Sequence, residues 1–245
     1  MNKKTAIVTG ASRGIGKAAA IAFAKSGYNV IINYNKSEDS AIELKDHLFA
    51  SGCECEVFKA DVGIAEEAQR LIDFAVEKYG KIDTLVNNAG ISQIKLFTDI
   101  TPQDWDSMVK TNLSGVFYCT QSAVKEMLKY HSGNIINISS MWGQVGASCE
   151  VPYSTAKAGL IGLTRALAKE VGPSGITVNC IAPGLIDTEM NAALSPSDLD
   201  ALCEEIPLGR LGTAEEVAAL ALFLSGEGGS YITGQVIAPN GGMVI

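Results

Sequence analysis

The turn that decides the fold reads Thr9-Gly10-Ala11-Ser12-Arg13-Gly14-Ile15-Gly16. It follows the apolar run Ala6-Ile7-Val8 and opens a helix predicted over 14–25. Three glycines allow backbone N–H groups to approach a phosphate at the positive end of that helix. The spacing Gly-x3-Gly-x-Gly differs from the common dinucleotide-binding form, and tight packing also selects glycine. In a first βαβ unit, the turn nevertheless predicts nucleotide binding.

Short apolar runs alternate with longer helical patterns along the rest of the chain. Further strands are predicted at 29–32, 56–58, 84–86, 135–138, 176–181 and near 235–238. Helices are predicted at 37–50, 66–79, 102–129 with interruptions, 153–171 and 214–224. Continuous apolar strands are typical of sheets buried on both faces, and alternating βα units predict a parallel, doubly wound α/β sheet of about seven strands. Its ligand crevice should lie beyond the carboxyl ends of the strands.

Composition narrows the class of protein. The chain has 245 residues, 47% of them hydrophobic and 19% charged, and a net charge of −8. No domain boundary is visible, so we expect one nucleotide-binding catalytic domain over 1–245. The acidic balance argues against nucleic acid and anionic membranes as partners. Six cysteines without a secretory signal indicate reduced thiols in a cytoplasmic protein, and no cluster has metal-ligand spacing.

The residues at the end of the second strand indicate which nicotinamide cofactor would bind. A carboxylate is expected there when NAD is bound, since it binds the ribose 2′-hydroxyl. The sequence instead reads Asn33-Tyr34-Asn35-Lys36, with no acid before Glu38. Arg13 could pair with a 2′-phosphate, so these residues favour NADP(H). The alternative is that Arg13 and Lys36 are solvated surface charges.

Two further strand ends carry small, amide or acidic residues. Strand three ends at Asp61-Val62 and strand four at Asn87-Asn88-Ala89-Gly90. Such residues suit hydrogen bonding to an adenine edge and a ribose. Asp61 could equally cap the following helix.

The fifth strand and its helix carry the residues suited to proton transfer. Ser140 closes the strand, and Tyr153 and Lys157 share one helical face four residues apart. Lowering the pKa of tyrosine from ~10 toward ~7 takes roughly 4 kcal/mol. A lysine ammonium at ~4 Å supplies about that much. We therefore expect Lys157, helped by the positive charge of a nicotinamide, to lower the pKa of Tyr153 enough for it to act as a proton donor. A Gly-x-Ser-x-Gly elbow is absent from the sequence, which disfavours a hydrolase.

Together these motifs resemble the short-chain dehydrogenases/reductases over essentially the whole chain. The resemblance also rests on Asn112 and on Pro183-Gly184-x3-Thr188. It implies that Tyr153 donates the proton, Ser140 holds the substrate carbonyl oxygen, and Lys157 binds the nicotinamide ribose and lowers the tyrosine pKa. Asn112 would interrupt the long helix and position a water joining Lys157 to solvent. Pro183, Gly184, Ile186 and Thr188 would form the nicotinamide loop.

Within that family the chain is most similar to members that reduce 3-oxoacyl groups carried on a protein in fatty-acid synthesis. The supporting stretches are 9–16, 183–190, 207–210, 231–234 and 240–243. The alternatives are a dehydrogenase for a free steroid, polyol or small hydroxy compound, and a nucleotide-binding scaffold without turnover. Arginines that carrier-protein reductases often show are replaced here by Lys129-Tyr130-His131 and by 172–175. The resemblance further implies a homotetramer and a mobile substrate lid over about 185–210, with a short helix near Ser195.

Overall fold

The computed structural model describes residues 3–189 and 196–245, and for 196–200 only the main chain. Within these residues the strands are β1 (Thr5–Val8), β2 (Asn29–Tyr34), β3 (Cys55–Lys59), β4 (Thr84–Asn87), β5 (Gly133–Ile138), β6 (Ile176–Ile181) and β7 (Val236–Ile237). The α-helices are α1 (Gly14–Lys25), α2 (Glu38–Ala50), α3 (Ala65–Tyr79), α4 (Pro102–Val109), α5 (Gly115–Leu128), α6 (Trp142–Val145), α7 (Val151–Val171), α8 (Pro196–Glu205) and α9 (Ala214–Ser225). A π-helical turn, Lys110–Ser114, joins α4 to α5.

All seven strands are parallel and lie in the order β3-β2-β1-β4-β5-β6-β7. The order reverses between β1 and β4, and a crevice opens at such a switch point beyond the carboxyl ends of the strands. The predicted doubly wound parallel sheet of about seven strands is therefore confirmed, and the glycine-rich turn lies at its switch point.

Helices cover both faces of the sheet, because successive side chains along a strand point in opposite directions. Ala6 and Val8 of β1 pack in one buried cluster with α1, α2 and α9. Ile7 packs in a second cluster, with side chains of α3, α5 and α7. This two-sided burial explains why the strands have continuous apolar sequences.

The structure differs from the sequence prediction at a few boundaries. β2 continues to Tyr34, so Asn33 and Tyr34 lie within the strand rather than after it. The long helix is divided by the π-turn that contains Asn112, as the interruption predicted. The predicted helix near Ser195 is α8, which begins at Pro196. Positions 190–195 of the predicted lid lie outside the described residues.

The described cysteines are all unpaired thiols. In the same part of the chain, no helix is long and apolar enough to cross a membrane.

Candidate active site

The β1–α1 turn depends on two glycines with left-handed backbone. Gly10 has φ of 61° and Gly14 has φ of 52°, values that favour glycine. Arg13 precedes α1 in an extended conformation, and no side chain of the described residues caps the helix there. The first N–H groups of α1 therefore remain available for an anion, and the macrodipole favours negative charge at this end.

Asn88 fastens the turn to the end of β4. Its side-chain Nδ2 donates to the carbonyls of Thr9 at 2.9 Å and Gly10 at 3.0 Å. The Thr9 hydroxyl accepts from the backbone N–H groups of Asn88 and Ala89. The Asn88 amide nitrogen thus acts within the protein, while the residue also lines the crevice, and its contact with a ribose or an adenine edge stays a prediction.

Asn33 has a similar internal role. Its Oδ1 accepts from the N–H of Gly10 at 3.2 Å, and its Nδ2 lies within 3.3 Å of the carbonyls of Phe58 and Ala60. The side chain is buried and braces the ends of β1, β2 and β3 against one another. Asn33 also lines the crevice, so its predicted contact with the cofactor stays a prediction beside this internal role.

Asp61 does not cap α3, because the residue at the cap position is Ile64. Its Oδ1 instead accepts from the N–H of Gly63 at 3.0 Å, and its Oδ2 pairs with Lys110 at 3.1 Å. The alternative of a helix cap is wrong. Asp61 turns its carboxylate toward the crevice.

A cleft of about 660 Å³ lies beyond the strand ends. Its lining includes these predicted cofactor-binding residues: Gly10, Ser12, Arg13, Gly14, Ile15, Asn33, Tyr34, Asn35, Asp61, Val62, Asn88, Ala89, Gly90 and Thr188. Gly16, Tyr153, Lys157, Pro183, Gly184 and Ile186 were predicted too but do not line it. A cleft of this size, with a glycine cradle and an uncapped helix N-terminus, fits a dinucleotide.

Some lining residues were not predicted to bind the cofactor: Lys36, Ser37, Ser107, Lys110 and Thr111 also face the cleft. Lys36 was noted at the strand end, with a solvated surface charge as the alternative, and Ser37 follows it directly. Ser107, Lys110 and Thr111 come from α4 and the π-turn, and only the packing of that turn against the end of β3 brings them here.

The four predicted catalytic residues converge beside this cleft. Asn112, Ser140, Tyr153 and Lys157 are all buried. A Cβ placed on Gly90, which lines the cleft, would lie 3.1 Å from Asn112 Oδ1 and 3.5 Å from Lys157 Nζ. Glycine at this position therefore lets the side chains of Asn112 and Lys157 approach the cleft together.

Ser140 and Tyr153 are neighbours in the site. The backbone N–H of Trp142 donates to Ser140 Oγ at 3.1 Å, which leaves the hydroxyl proton of Ser140 free to donate. Burial raises the pKa of Tyr153 to about 12, and contact with the Ser140 hydroxyl partly offsets this increase. In the protein alone the pKa of Tyr153 is thus raised rather than lowered, because the desolvation of tyrosinate exceeds the favourable interactions. The decrease expected with a bound nicotinamide stays a prediction.

Lys157 hydrogen-bonds to the main chain of β5 through its ammonium group. Its Nζ donates to the carbonyl of Ile138 at 2.7 Å and lies 5.6 Å from the centroid of the Tyr153 ring. Burial lowers the pKa of Lys157 from 10.5 to about 8. The ammonium is held at the end of β5, on the edge of the sheet that faces the crevice.

The buried ammonium predicts a pH-dependent stability. Between pH 8 and about 10 the unfolded chain holds one more proton at Lys157 than the folded chain, so the free energy of unfolding rises with pH. The Lys157→Met variant has no titrating group at this position, so its free energy of unfolding should not rise in this way. The difference in free energy of unfolding between wild type and Lys157→Met should therefore shift in favour of wild type by about 2–3 kcal/mol from pH 8 to about 10. Urea denaturation at a series of pH values measures it, with the exposed Lys25→Met as control. A difference that is constant with pH would contradict the burial of a titrating lysine.

Asn112 is held by the loop that follows β4. Its Oδ1 accepts from the N–H of Ile91 and its Nδ2 donates to the carbonyl of Ile91, both at 2.8 Å. The π-turn widens the helix at this point and presents the side chain toward that loop. Asn112 was predicted only from the family resemblance, because a π-turn has no simple periodicity.

Glu150, which was not among the predicted site residues, is a neighbour of Tyr153. It directly precedes α7, and burial raises the pKa of its carboxyl. Its negative charge contributes to the raised pKa of Tyr153. No ion pair joins Glu150 to any residue that the structure describes. Its place three residues before Tyr153 was a signal that could have been used.

The predicted nicotinamide loop closes the other side of the site. The N–H of Met141, next to Ser140, donates to the carbonyl of Pro183 at 2.9 Å. A Cβ on Gly184 would lie 2.7 Å from the Cα of Asn240, so only glycine fits between these segments. Thr188 lies against the phosphate turn, 3.5 Å from where a Cβ of Gly14 would be. The loop after β6 therefore connects the serine of the site to the glycine-rich turn.

Comparison with known proteins gives the class of protein. A family model described as enoyl-(acyl carrier protein) reductase matches residues 10–244. The chain belongs to the short-chain dehydrogenase/reductase family, whose members are oxidoreductases that use a nicotinamide cofactor.

Individual proteins of this family are similar to the chain over nearly its whole length. The chain is 43% identical over 240 residues, 98% of each chain, to a 3-oxoacyl-[acyl-carrier-protein] reductase of Staphylococcus epidermidis. It is 43% identical over 246 residues to a protein of the same name from Synechocystis, covering 100% of this chain and 98% of the relative. An uncharacterized oxidoreductase of Bacillus subtilis is 40% identical over 98% of both chains.

Proposed function

We propose that this protein reduces a 3-oxoacyl group, carried as a thioester on acyl carrier protein, to the 3-hydroxyacyl form with NADPH. The observation that carries the proposal is the convergence of Asn112, Ser140, Tyr153 and Lys157 beside a cleft that fits a dinucleotide. The substrate is taken from the relatives named 3-oxoacyl-[acyl-carrier-protein] reductase, which match over 98% of their length. The proposed reaction is a step of fatty-acid synthesis.

The residues along the cleft would hold the cofactor in a defined order. The N–H groups at the start of α1, around Gly14 and Ile15, would bind the pyrophosphate, with Gly16 allowing close packing. Asp61 and Val62 would face the base, and Gly90 would face a ribose. Lys157 would bind the nicotinamide ribose. Thr188 and the backbone of Ile186 would bind the nicotinamide amide. When bound, the nicotinamide supplies the hydride to the substrate carbonyl.

Preference for NADPH is supported by the charges at the end of β2. Arg13 and Lys36 line the cleft there beside Asn35, and the lining residues from Tyr34 to Ser37 include no carboxylate. Glu38, the first acid after the strand, begins α2 and is not among the residues that line the cleft. A 2′-phosphate would therefore meet cations without repulsion.

Proton transfer would be carried out by the protein's own side chains. The Ser140 hydroxyl would donate a hydrogen bond to the carbonyl oxygen, and the Tyr153 hydroxyl would give that oxygen its proton. The raised pKa keeps Tyr153 protonated at neutral pH, which suits a donor. The Lys157 ammonium would stabilise the tyrosinate that results, aided by the positive charge of oxidised nicotinamide.

A comparison of substrates tests the proposed function. Consumption of NADPH should be fastest with acetoacetyl-acyl carrier protein, slower with a free acetoacetyl thioester, and slowest with simple ketones, polyols and steroids in either direction. Replacing NADPH with NADH should slow the reaction by at least roughly tenfold, since a lost charge-assisted contact is worth about 1.5–3 kcal/mol.

Crotonyl-acyl carrier protein is the matched control, because the family model carries the name of an enoyl reductase. It has the same carrier and chain length but presents a carbon–carbon double bond. Faster turnover of the crotonyl thioester or of a free alcohol would contradict the proposal. Absence of turnover with every carbonyl, alongside tight NADPH binding, would favour a nucleotide-binding scaffold.

Two further properties are proposed on the resemblance to the family. The protein would act in the cytoplasm as a homotetramer and dock an acidic carrier. The cationic face for that carrier is weaker than an arginine patch, because Lys129 already pairs with Glu126 at 2.6 Å.

A further inference from the structure

Lys110 lies at the end of the cleft where β3 stops. Its Nζ is 3.1 Å from Asp61 Oδ2, and both side chains line the cleft. Lys110 is the first residue of the π-turn, 49 positions along the chain from Asp61. The proton transfer proposed above does not use this ion pair, although it is the contact that joins the π-turn to the end of β3.

The carboxylate of Asp61 is held at both of its oxygens. Oδ1 accepts from the N–H of Gly63 at 3.0 Å, while Oδ2 faces Lys110. The backbone N–H of Asp61 is itself fixed by Glu67 Oε2 at 2.7 Å. Because each carboxylate oxygen can accept two hydrogen bonds, one further acceptor position remains on each for a ligand.

The lysine stem is fixed by packing as well as by charge. A Cβ on Gly63 would lie 2.8 Å from Lys110 Cγ and 3.0 Å from its Cε, so the stem runs directly over that glycine. The side chain of Lys110 is 46% exposed and that of Asp61 27% exposed. The ion pair therefore has a defined direction while remaining open to the cleft.

We propose that Lys110 is the positioning residue that sets specificity for the cofactor's base. It orients the Asp61 carboxylate so that a remaining acceptor position receives a hydrogen bond from an exocyclic amino group. Adenine has such a group, whereas hypoxanthine presents a carbonyl oxygen at the same place, which a carboxylate repels. This role rests on the proposed use of a dinucleotide cofactor.

Nucleotide titrations test the assignment. Dissociation constants for NADPH and for its reduced hypoxanthine analogue are measured by fluorescence in wild type, Lys110→Met, Lys110→Arg and Asp61→Asn. Lys110→Met keeps the stem over Gly63 and removes only the charge. We expect it to weaken NADPH binding roughly three- to tenfold and to change binding of the hypoxanthine analogue less than about twofold. Lys110→Arg should retain the preference for adenine, and Asp61→Asn should remove it.

The other outcomes separate this role from the proposed function. Equal weakening of both nucleotides in Lys110→Met would show general attraction of an anion and would overturn the assignment, as would unchanged binding of both. Wild-type protein that binds neither nucleotide contradicts the cofactor itself and this role with it. Urea midpoints of the four proteins should agree, and a lowered midpoint confined to Lys110→Met would assign the residue a structural role instead.

Discussion

Tyr153→Phe should reduce turnover of the 3-oxoacyl thioester by roughly 10³-fold or more while leaving NADPH binding nearly unchanged. The ring stays in place, but the variant has no proton to give to the carbonyl oxygen, and general acid catalysis contributes about 10²–10⁴ in rate. Since Tyr153 is buried, solvent cannot readily substitute for its hydroxyl. Steady-state rates and fluorescence titration of NADPH measure the two quantities separately.

Tyr79→Phe is the matched control for this experiment. Tyr79 lies in α3, and its buried hydroxyl has no hydrogen-bond partner among the described residues. Its removal should leave turnover unchanged and should not lower stability, because an unsatisfied polar group is removed. Retention of more than about a tenth of the activity by Tyr153→Phe would contradict its role as proton donor.

Gly16→Ala should weaken NADPH binding by roughly 50-fold and lower the free energy of unfolding by about 1–3 kcal/mol. A Cβ at Gly16 would collide with Asn88 Nδ2 and the carbonyl of Gly10. Neither group can move freely, because that amide nitrogen donates to the carbonyls of Thr9 and Gly10. The added methyl group must therefore displace the phosphate turn. Nucleotide titration and urea denaturation measure the two effects.

Gly162→Ala provides a comparison within another helix. A Cβ at Gly162, in α7, would meet nothing within 4 Å. Here alanine should leave NADPH binding unchanged and raise the free energy of unfolding by about 0.5–1 kcal/mol through helix propensity. If both substitutions had the same effect on binding, the loss at Gly16 could not be assigned to the turn.

The architecture was largely predictable because its signals are local. Strands buried on both faces require continuous apolar runs, so β1 and β4 to β6 were recognised within two residues of their bounds. The tyrosine and the lysine of the site lie one helical turn apart, and this spacing alone places them on one face of α7. Asn112 was found only by resemblance, since the π-turn around it follows no simple period.

The hydrogen-bonding roles of the amides were less accessible to sequence reasoning. Asn33 and Asn88 lie at strand ends, as expected. Their side-chain amides also hydrogen-bond to the main chain of neighbouring segments, which the sequence did not predict. Their partners are 25 and 79 positions away. Lys110 was not predicted for the same reason. Its ion pair with Asp61 forms only because the π-turn packs near the end of β3.

The sequence by itself determined the alternation of strands and helices, the glycine-rich turn and the pairing of Tyr153 with Lys157 on a helix, since each depends on the spacing of nearby residues. Only the tertiary structure decided which strand ends meet, which amides are consumed inside the protein and how deeply the tyrosine is buried. That burial raises the pKa of Tyr153 to about 12, whereas spacing alone suggested a decrease. Desolvation depends on everything packed around a group, and most of those atoms come from distant parts of the chain.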